Sequence, residues 1–341
     1  MKKEILGIIS NEKTYLNNKD YFCDNLDMKS IPEGLNNNFD INLFVRNSKT
    51  ERLAHKIEID KIISSNNIFS YIVNVLKNKK QIEKYLIISL SPYTFVICLL
   101  LFFLKKKAFL YLRSDGYEEY KCYSKFFGPI IYHIMFSVAS STSRLISCRL
   151  HILKGKIGNI VSPSQLDEKW FAERKKIISK NTKLLYVGRI RVEKGVHSLL
   201  KILNKIKKDY YISIISSENI KQNNLENKNI NFIHFKNEHY RMIKEYDNCS
   251  IFILPSYTEG HPQVLDEALS RLRPVIIFPE ISHVIRGREG VFISERTPES
   301  LLSKINFIES NYESIQNKIE KNILPDKKNF LKELEIIINK N

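Results

Sequence analysis

Short apolar runs alternate along this chain with longer stretches whose apolar positions recur every three or four residues. That alternation predicts parallel α/β sheets rather than a helical bundle or an all-β fold. In the first half the expected strands are 4–10, 39–46, 84–91, 108–113, 144–148 and 158–163, with helices over 66–79, 94–106 and 117–139. A second series comprises 183–190, 210–217, 230–235, 249–256, 273–278 and 290–294. The stretch 162–182 lies between the two series and takes the domain junction. The expected architecture is two doubly wound, Rossmann-like domains, 1–163 and 164–325, facing each other across a cleft where ligands meet strand carboxyl ends. The last residues, 326–341, form a C-terminal helix available to pack back on the first domain.

One apolar run, Phe95 to Leu104 in TFVICLLLFFLKKK, invites a membrane reading. It falls far short of the roughly 20 residues a spanning helix needs. Either it is a buried helix of an α/β domain, or it inserts shallowly with Lys105, Lys106 and Lys107 on anionic headgroups. The aromatic and basic segment 121–136, KCYSKFFGPIIYHIMF, favours the second reading weakly.

Length and composition narrow the class. With 341 residues, 43% hydrophobic and 27% charged, the chain reads as globular and large enough for two domains. Five scattered cysteines without a C-x-x-C pair argue against a disulfide framework or a zinc ribbon. The apolar stretch after Lys2 and Lys3 is too short for a signal peptide, so a cytoplasmic location is expected, with peripheral contact at the inner membrane face as an extension. The net charge of +17, of which +10 falls in residues 1–165, fits anionic lipid, nucleic acid or phosphorylated substrates, or else a lysine-rich solvated surface. No nucleic-acid-binding motif is present, and none is expected as a partner.

Two segments carry candidate chemistry. The strand 183–190 runs into GRIRVEKG, residues 188–195, ahead of an amphipathic helix. Gly188 permits close backbone approach, and Gly195 opens a helix whose free amides favour an anion. Arg189 and Lys194 add a planar donor fork and a point charge, so the loop reads as a phosphate site or as a surface turn with incidental charges. The second segment is PSYTEGHPQVLDEALSRLRPVI, residues 255–276. Glu259 sits in a loop at a strand's carboxyl end, and Pro262 suits the first helical turn. Glu267 lies one to two turns inside that helix, while the free amides near Pro262 to Val264, with Gln263 between, are expected to face the cleft. Two carboxylates so placed can accept hydrogen bonds from vicinal hydroxyls, one set on a sugar and one on a ribose. A phosphate site followed by a diol site describes a nucleotide sugar. His261, beside Glu259, either touches that sugar or is incidental.

Gly188-Arg189, Glu193-Lys194-Gly195 and the Glu259-x7-Glu267 element together resemble the donor domain of family-4 retaining glycosyltransferases of GT-B fold, over about 183–310. The resemblance implies that Arg189 and Lys194 neutralise the leaving diphosphate, that Glu259 holds the donor sugar and that Glu267 binds ribose hydroxyls. It implies a metal-independent reaction with retention at the anomeric carbon. The chain has no Asp-x-Asp pair, and His133 and His151 lack ligand spacing, so neither a metal nor another cofactor is expected.

The sequence departs from the family in places. Leu272 stands where the family usually has glycine, IISSENI lacks the glycines common after the second donor-domain strand, and 9–20 lacks the glycine-rich loop that often follows the first strand. On the acceptor side, Arg113, Asp115 and Glu118 lie at the strand end YLRSDGYEEYK. Asp115 either orients the acceptor hydroxyl or contacts the donor sugar, or it caps the next helix from an Asp-Gly turn.

The expected protein is a glycosyltransferase of surface polysaccharide biosynthesis, O-antigen or capsule, acting on a glycan or polyprenyl-diphosphate-linked acceptor. Two other readings stay open: a sugar-nucleotide epimerase of the same fold, and a non-catalytic protein binding polyanions or membrane through its charge.

Overall fold

The computed structural model describes residues 3–52, 55–176, 182–216, 229–234 and 239–340. The chain forms two compact units, Met1–Pro163 with Lys327–Asn341, and Ser164–Asp326. Part of the junction stretch (177–181) lies outside the described residues, as do Ser217 to Ile220 of the glycine-poor turn and Phe235 at the end of its expected strand.

Among the described residues the first unit has nine strands: β1 (Glu4–Asn17), β2 (Asp20–Cys23), β3 (Phe39–Asn47), β4 (His55–Ile57), β5 (Lys61–Ser65), β6 (Lys84–Ile88), β7 (Lys107–Leu112), β8 (Arg144–Ser147) and β9 (Gly158–Ile160). Seven of them pair in parallel in the order β5-β3-β1-β6-β7-β8-β9. Its helices are α1 (Leu26–Leu35), α2 (Ile68–Asn78), α3 (Pro92–Phe103), α4 (Gly116–Tyr123) and α5 (Phe127–Thr142). Apolar clusters cover both faces of the sheet, one around Leu6, Ile8, Leu43 and Leu86, the other around Ile9, Phe44, Ile87 and Leu110. The first cluster includes Phe330, Leu334 and Ile338 from the C-terminal helix Lys327–Asn339.

Three local features depart from the sequence expectation. The first strand does not stop at Ser10: it continues to Asn17 and folds back on β2, with Asn17 opposite Asp20. Asn18 (φ 46°) and Lys19 (φ 75°) make the turn, both left-handed as a two-residue hairpin of this twist requires. The stretch that lacks a glycine-rich loop is therefore strand. Next, the single helix expected over 117–139 is two helices. The chain bends after Tyr123 and brings Gly128 against the Tyr120 carbonyl, where a β-carbon would lie 1.9 Å from the oxygen. Finally, α1 forms despite Pro32 and Gly34, with Asn25 capping it and Met28, Ile31 and Leu35 buried.

The Phe95–Leu104 run belongs to α3, which starts at a capping box between Ser91 and Thr94 with Pro92 in the first turn. Ile97, Cys98 and Leu101 pack on the sheet, so the buried-helix reading describes its inner face. No helix among the described residues is long and apolar enough to cross a membrane.

The second unit holds α6 (Glu168–Phe171), β10 (Thr182–Val187), α7 (Val196–Leu203), β11 (Tyr210–Ser216), β12 (Ile230–His234), α8 (His239–Asn248), β13 (Ile251–Leu254), α9 (Gln263–Ser270), β14 (Val275–Ile277), β15 (Val291–Ile293), α10 (Pro298–Ser310) and α11 (Tyr312–Ile319). Its sheet is parallel, in the order β12-β11-β10-β13-β14-β15. The chain steps outward from β10 to β11 and β12, then returns to β13 on the other side of β10. The strand order reverses there, so the loops after β10 and β13 flank the crevice that such sheets present at their carboxyl ends.

Leu272, at the family's glycine position, adopts a left-handed conformation (φ 60°) with its side chain buried. Its neighbours hold the turn. Arg271 pairs with Asp247 (2.9 Å) and donates to the carbonyls of Trp170 and Ala172, while Arg273 donates to those of Tyr246 and Lys175. These two buried guanidiniums fix the segment around α6 to the end of α9.

Candidate functional site

Gly188 directly follows β10, and its amide donates to the Ile215 carbonyl. The Tyr186 ring folds back under it, its hydroxyl donating to the Arg189 carbonyl at 2.7 Å, and a β-carbon on Gly188 would sit 2.8 Å from that hydroxyl. The chain then makes a short turn, Val192–Lys194, and reaches Gly195 in the left-handed region (φ 67°). A β-carbon there would lie 1.9 Å from the Pro255 carbonyl oxygen. Only glycine lets the loop after β10 dock this closely on the end of β13, and the Tyr257 amide seals the contact by donating to the Glu193 carbonyl (2.9 Å).

Docking places Lys194 against Glu259. Nζ lies 2.7 Å from Oε1, and Ser256 Oγ donates to the same oxygen at 2.6 Å. Among the described residues, Oε2 of Glu259 takes no bond, and one lysine proton of three is used, so both groups keep capacity for a ligand. His283 Nε2 contacts the Glu259 carbonyl at 2.9 Å and holds the backbone of the loop. Arg189 is exposed, and its guanidinium makes no ion pair among the described residues.

Glu267 projects from α9 towards α8, where the Tyr246 hydroxyl donates to Oε2 at 2.8 Å. Tyr246 is fully buried, edge-on to Trp170 and tilted against Phe252, so it fixes the carboxylate rigidly. Burial raises Glu267 from 4.5 to about 7, with the neighbouring Asp266 adding to the rise and the tyrosine bond opposing it. As with Glu259, one oxygen is anchored and the other makes no bond among the described residues.

Several expected site residues sit differently. Pro262 precedes α9 as its cap, and Gln263 is the first helical residue. Gln263 Oε1 accepts from the Gln165 amide (3.2 Å), and Val264 packs on the apolar core, so their side chains serve the domain. His261 turns inward: its side chain is 4% exposed and Nε2 lies 3.4 Å from Asp266 Oδ2. Asp266, fully buried, is paired with Arg288 at 2.9 Å. Asp115 belongs to the first unit and caps α4, accepting from the Tyr117 amide (3.0 Å) and from Lys154 Nζ (2.5 Å). The Asp-Gly capping reading is thus the observed one for its position. Arg113 pairs with Asp27 at 2.6 Å, and Glu118 with Lys121 at 3.5 Å.

Sequence reasoning gave no role to Ser256, Tyr246, His283 or Arg296. The Arg296 guanidinium lies between the rings of Tyr257 (3.9 Å) and Phe278 (4.3 Å), pairs with Glu280 (2.7 Å) and donates to the Pro255 and Ser256 carbonyls. It clamps the strand end on which Gly195 docks. Of these four, only Ser256 carried a signal, its place directly after the last residues of β13. Among the described residues, no group of three or more His, Cys, Asp or Glu could hold a metal ion.

Residues 168–324 match the family model of glycosyl transferases group 1. A relative in Staphylococcus aureus, the capsular polysaccharide biosynthesis glycosyltransferase CapM, is 26% identical over 171 residues, 47% of this chain and 43% of that protein. The aligned stretch thus spans less than half of that relative's length. Among solved structures, Anabaena Alr3699/HepE in complex with UDP and glucose aligns over 99% of this chain and 100% of its own, with TM-score 0.70 and 12% identity. WaaG, a glycosyltransferase involved in lipopolysaccharide biosynthesis, aligns over 99% and 100% with TM-score 0.66 and 12% identity. At such identities the structural likeness speaks for the fold, two Rossmann-like α/β units of the GT-B class. The chain therefore carries, over residues 168–324, a glycosyl transferases group 1 domain.

Proposed function

We propose that the protein is a retaining, metal-independent glycosyltransferase that moves a sugar from a nucleotide-sugar donor to a hydroxyl of a glycan in surface-polysaccharide assembly. The observation that carries this reading is the docking of Lys194 on Glu259 at the switch point, beside the exposed Arg189 and with Glu267 on the adjoining helix. In this reading the donor diphosphate lies over the Gly188–Gly195 loop, where Arg189 and the remaining Lys194 protons neutralise it. Glu259 Oε2 accepts from a sugar hydroxyl, and the open oxygen of Glu267 accepts from the ribose.

In the reaction, the bond between the anomeric carbon and the diphosphate oxygen breaks, and the two cations stabilise the charge left on the diphosphate. The acceptor oxygen bonds to the anomeric carbon from the same face, and its proton passes to the departing phosphate. The chain's contribution is positioning and leaving-group stabilisation rather than a covalent nucleophile. The similarity to capsule and lipopolysaccharide enzymes supports a glycan acceptor; a polyprenyl-diphosphate anchor on that glycan extends the same reading.

A thermal-shift series with UDP-, GDP-, dTDP- and CMP-sugars in EDTA tests it, on the wild type and on Glu267→Ala. Stabilisation by one nucleotide class, weakened in the variant, is expected. No shift from folded protein with any of them would sink the donor site and favour polyanion binding. Release of free sugar without an acceptor would move the assignment to an epimerase.

A further inference from the structure

The first unit carries a feature that the donor reading does not use. From Tyr120 to Leu166 the chain contains no Asp or Glu, while Lys121, Lys125, Arg144, Arg149, Lys154 and Lys156 supply six cations. Within this stretch the elbow between α4 and α5 turns apolar side chains outward. Tyr123 is 85% exposed, Phe126 76% and Phe127 67%, followed along one stripe of α5 by Ile130, Ile131 and Ile134 at 50–57%. The opposite stripe, Tyr132, Met135, Phe136 and Ala139, packs in the core. α5 is therefore apolar on both faces, although only one face has a partner in the domain.

The elbow is continuous with the loop after β8. Tyr117 of α4 bonds His133 of α5 (2.8 Å), and Lys154 pairs with Asp115 and approaches the Tyr117 ring. That loop exposes Leu150 (75%) and Ile157 (98%) beside Lys154 and Lys156. Aromatic and aliphatic side chains with lysines among them thus lie along one continuous part of the unit. A second copy is a poor occupant, because a two-fold contact would set these cations against their own images. An anionic surface that is apolar just beneath its charge satisfies both components at once. At 16 residues α5 reaches about 24 Å, too short to span a bilayer, so insertion would be shallow.

We propose that the α4–α5 elbow, Tyr123 to Ile134, docks the protein on an anionic lipid bilayer. Phe126 and Phe127 enter the interface, while Lys121, Lys125 and Lys156 lie at the headgroups. The proposal stands apart from the donor site and needs no nucleotide.

The test uses the whole chain with vesicles of phosphatidylcholine alone or mixed with phosphatidylglycerol. Cosedimentation is expected with the anionic vesicles only, falling as salt rises. Phe126→Ser with Phe127→Ser, and separately Lys121→Glu with Lys125→Glu, are each expected to lower the partition coefficient more than about tenfold. Both pairs are exposed, and circular dichroism checks that the fold is kept. A second readout is direct: in Phe126→Trp the new indole should shift to the blue and be quenched by brominated lipid, against the buried native Trp170 as background. Equal binding to neutral and anionic vesicles, no quenching, or a concentration-dependent dimer abolished by the same serine substitutions would overturn the proposal.

Discussion

Lys194 and Glu259 lie 65 residues apart in the chain and meet at 2.7 Å, because Gly195 lets one loop rest on the Pro255 carbonyl. The pair is partly buried, with the lysine side chain 22% exposed and the glutamate 11%, so each fixes the other's direction. Substituting either residue should therefore remove both. Glu259→Ala and Lys194→Met are each expected to lower kcat/KM by about 100-fold or more, and the double variant by little beyond either single one. Steady-state kinetics with the matched nucleotide sugar, alongside unchanged far-ultraviolet circular dichroism, measures this. Independent, multiplying losses would mean that the two side chains do not act as a unit.

In the proposed donor site, Glu267 would link nucleotide binding to stability. Its carboxyl rises from 4.5 in the unfolded chain to about 7 in the fold, chiefly through burial. Between those pH values the folded protein holds a proton that the unfolded chain has released, so this group's contribution to stability falls as pH climbs through the window. Glu267→Gln removes the dependence. Urea titrations should find the variant close to wild type at pH 5 and more stable by up to about 3 kcal/mol at pH 8. The same variant should bind nucleotide more weakly at pH 8, where wild-type Glu267 is ionised and accepts best from a diol.

Leu272 sets two costs against each other. Its left-handed backbone costs roughly 1–2 kcal/mol relative to glycine, while deleting a buried leucine side chain costs about 2–5 kcal/mol. Burial is the larger effect, so leucine is expected to be the most stable residue here. Leu272→Gly should lose stability, and Leu272→Ala should lose more, because it gives up the packing and keeps the strain. Thermal denaturation ranks the three. A glycine variant above wild type would show that the strain outweighs the packing.

Asp247 neutralises Arg271 in the interior, 17% and 2% exposed as side chains. Removing one partner of such a pair typically costs about 3–5 kcal/mol, because the other charge is left buried. Asp247→Ala should lower the melting temperature sharply while leaving kcat per folded molecule near wild type. A loss of kcat without a loss of stability would place Asp247 in the chemistry instead.

The α/β class and most of the parallel strands were legible in the sequence, because period-2 and period-3.6 patterning comes directly from which face of each element is buried. The strands around 183–190 and 249–256 needed nothing more than their apolar runs and the glycines and proline that end them. What escaped was structure made by distant pairing. The polar end of β1 is strand because the end of β3 and then β2 lie beside it, and α1 forms across a proline and a glycine because its apolar side packs on the sheet. The α4–α5 break was hidden in a continuous apolar run, and only the contact of Gly128 with the Tyr120 carbonyl explains it.

The same division holds at the candidate site. By itself the sequence determined which groups are available: two glycines, two cations and two carboxylates in the loops and the helix that follow two strands, a spacing fixed by local backbone geometry. Which of them face one another was decided by the tertiary structure. It set Lys194 on Glu259, tied Glu267 to Tyr246, turned His261 towards Asp266 and used Asp115 as a helix cap. Those choices depend on the order of strands in the sheet and on which polar groups could be satisfied once buried. A linear pattern records neither, because both are properties of the packed interior.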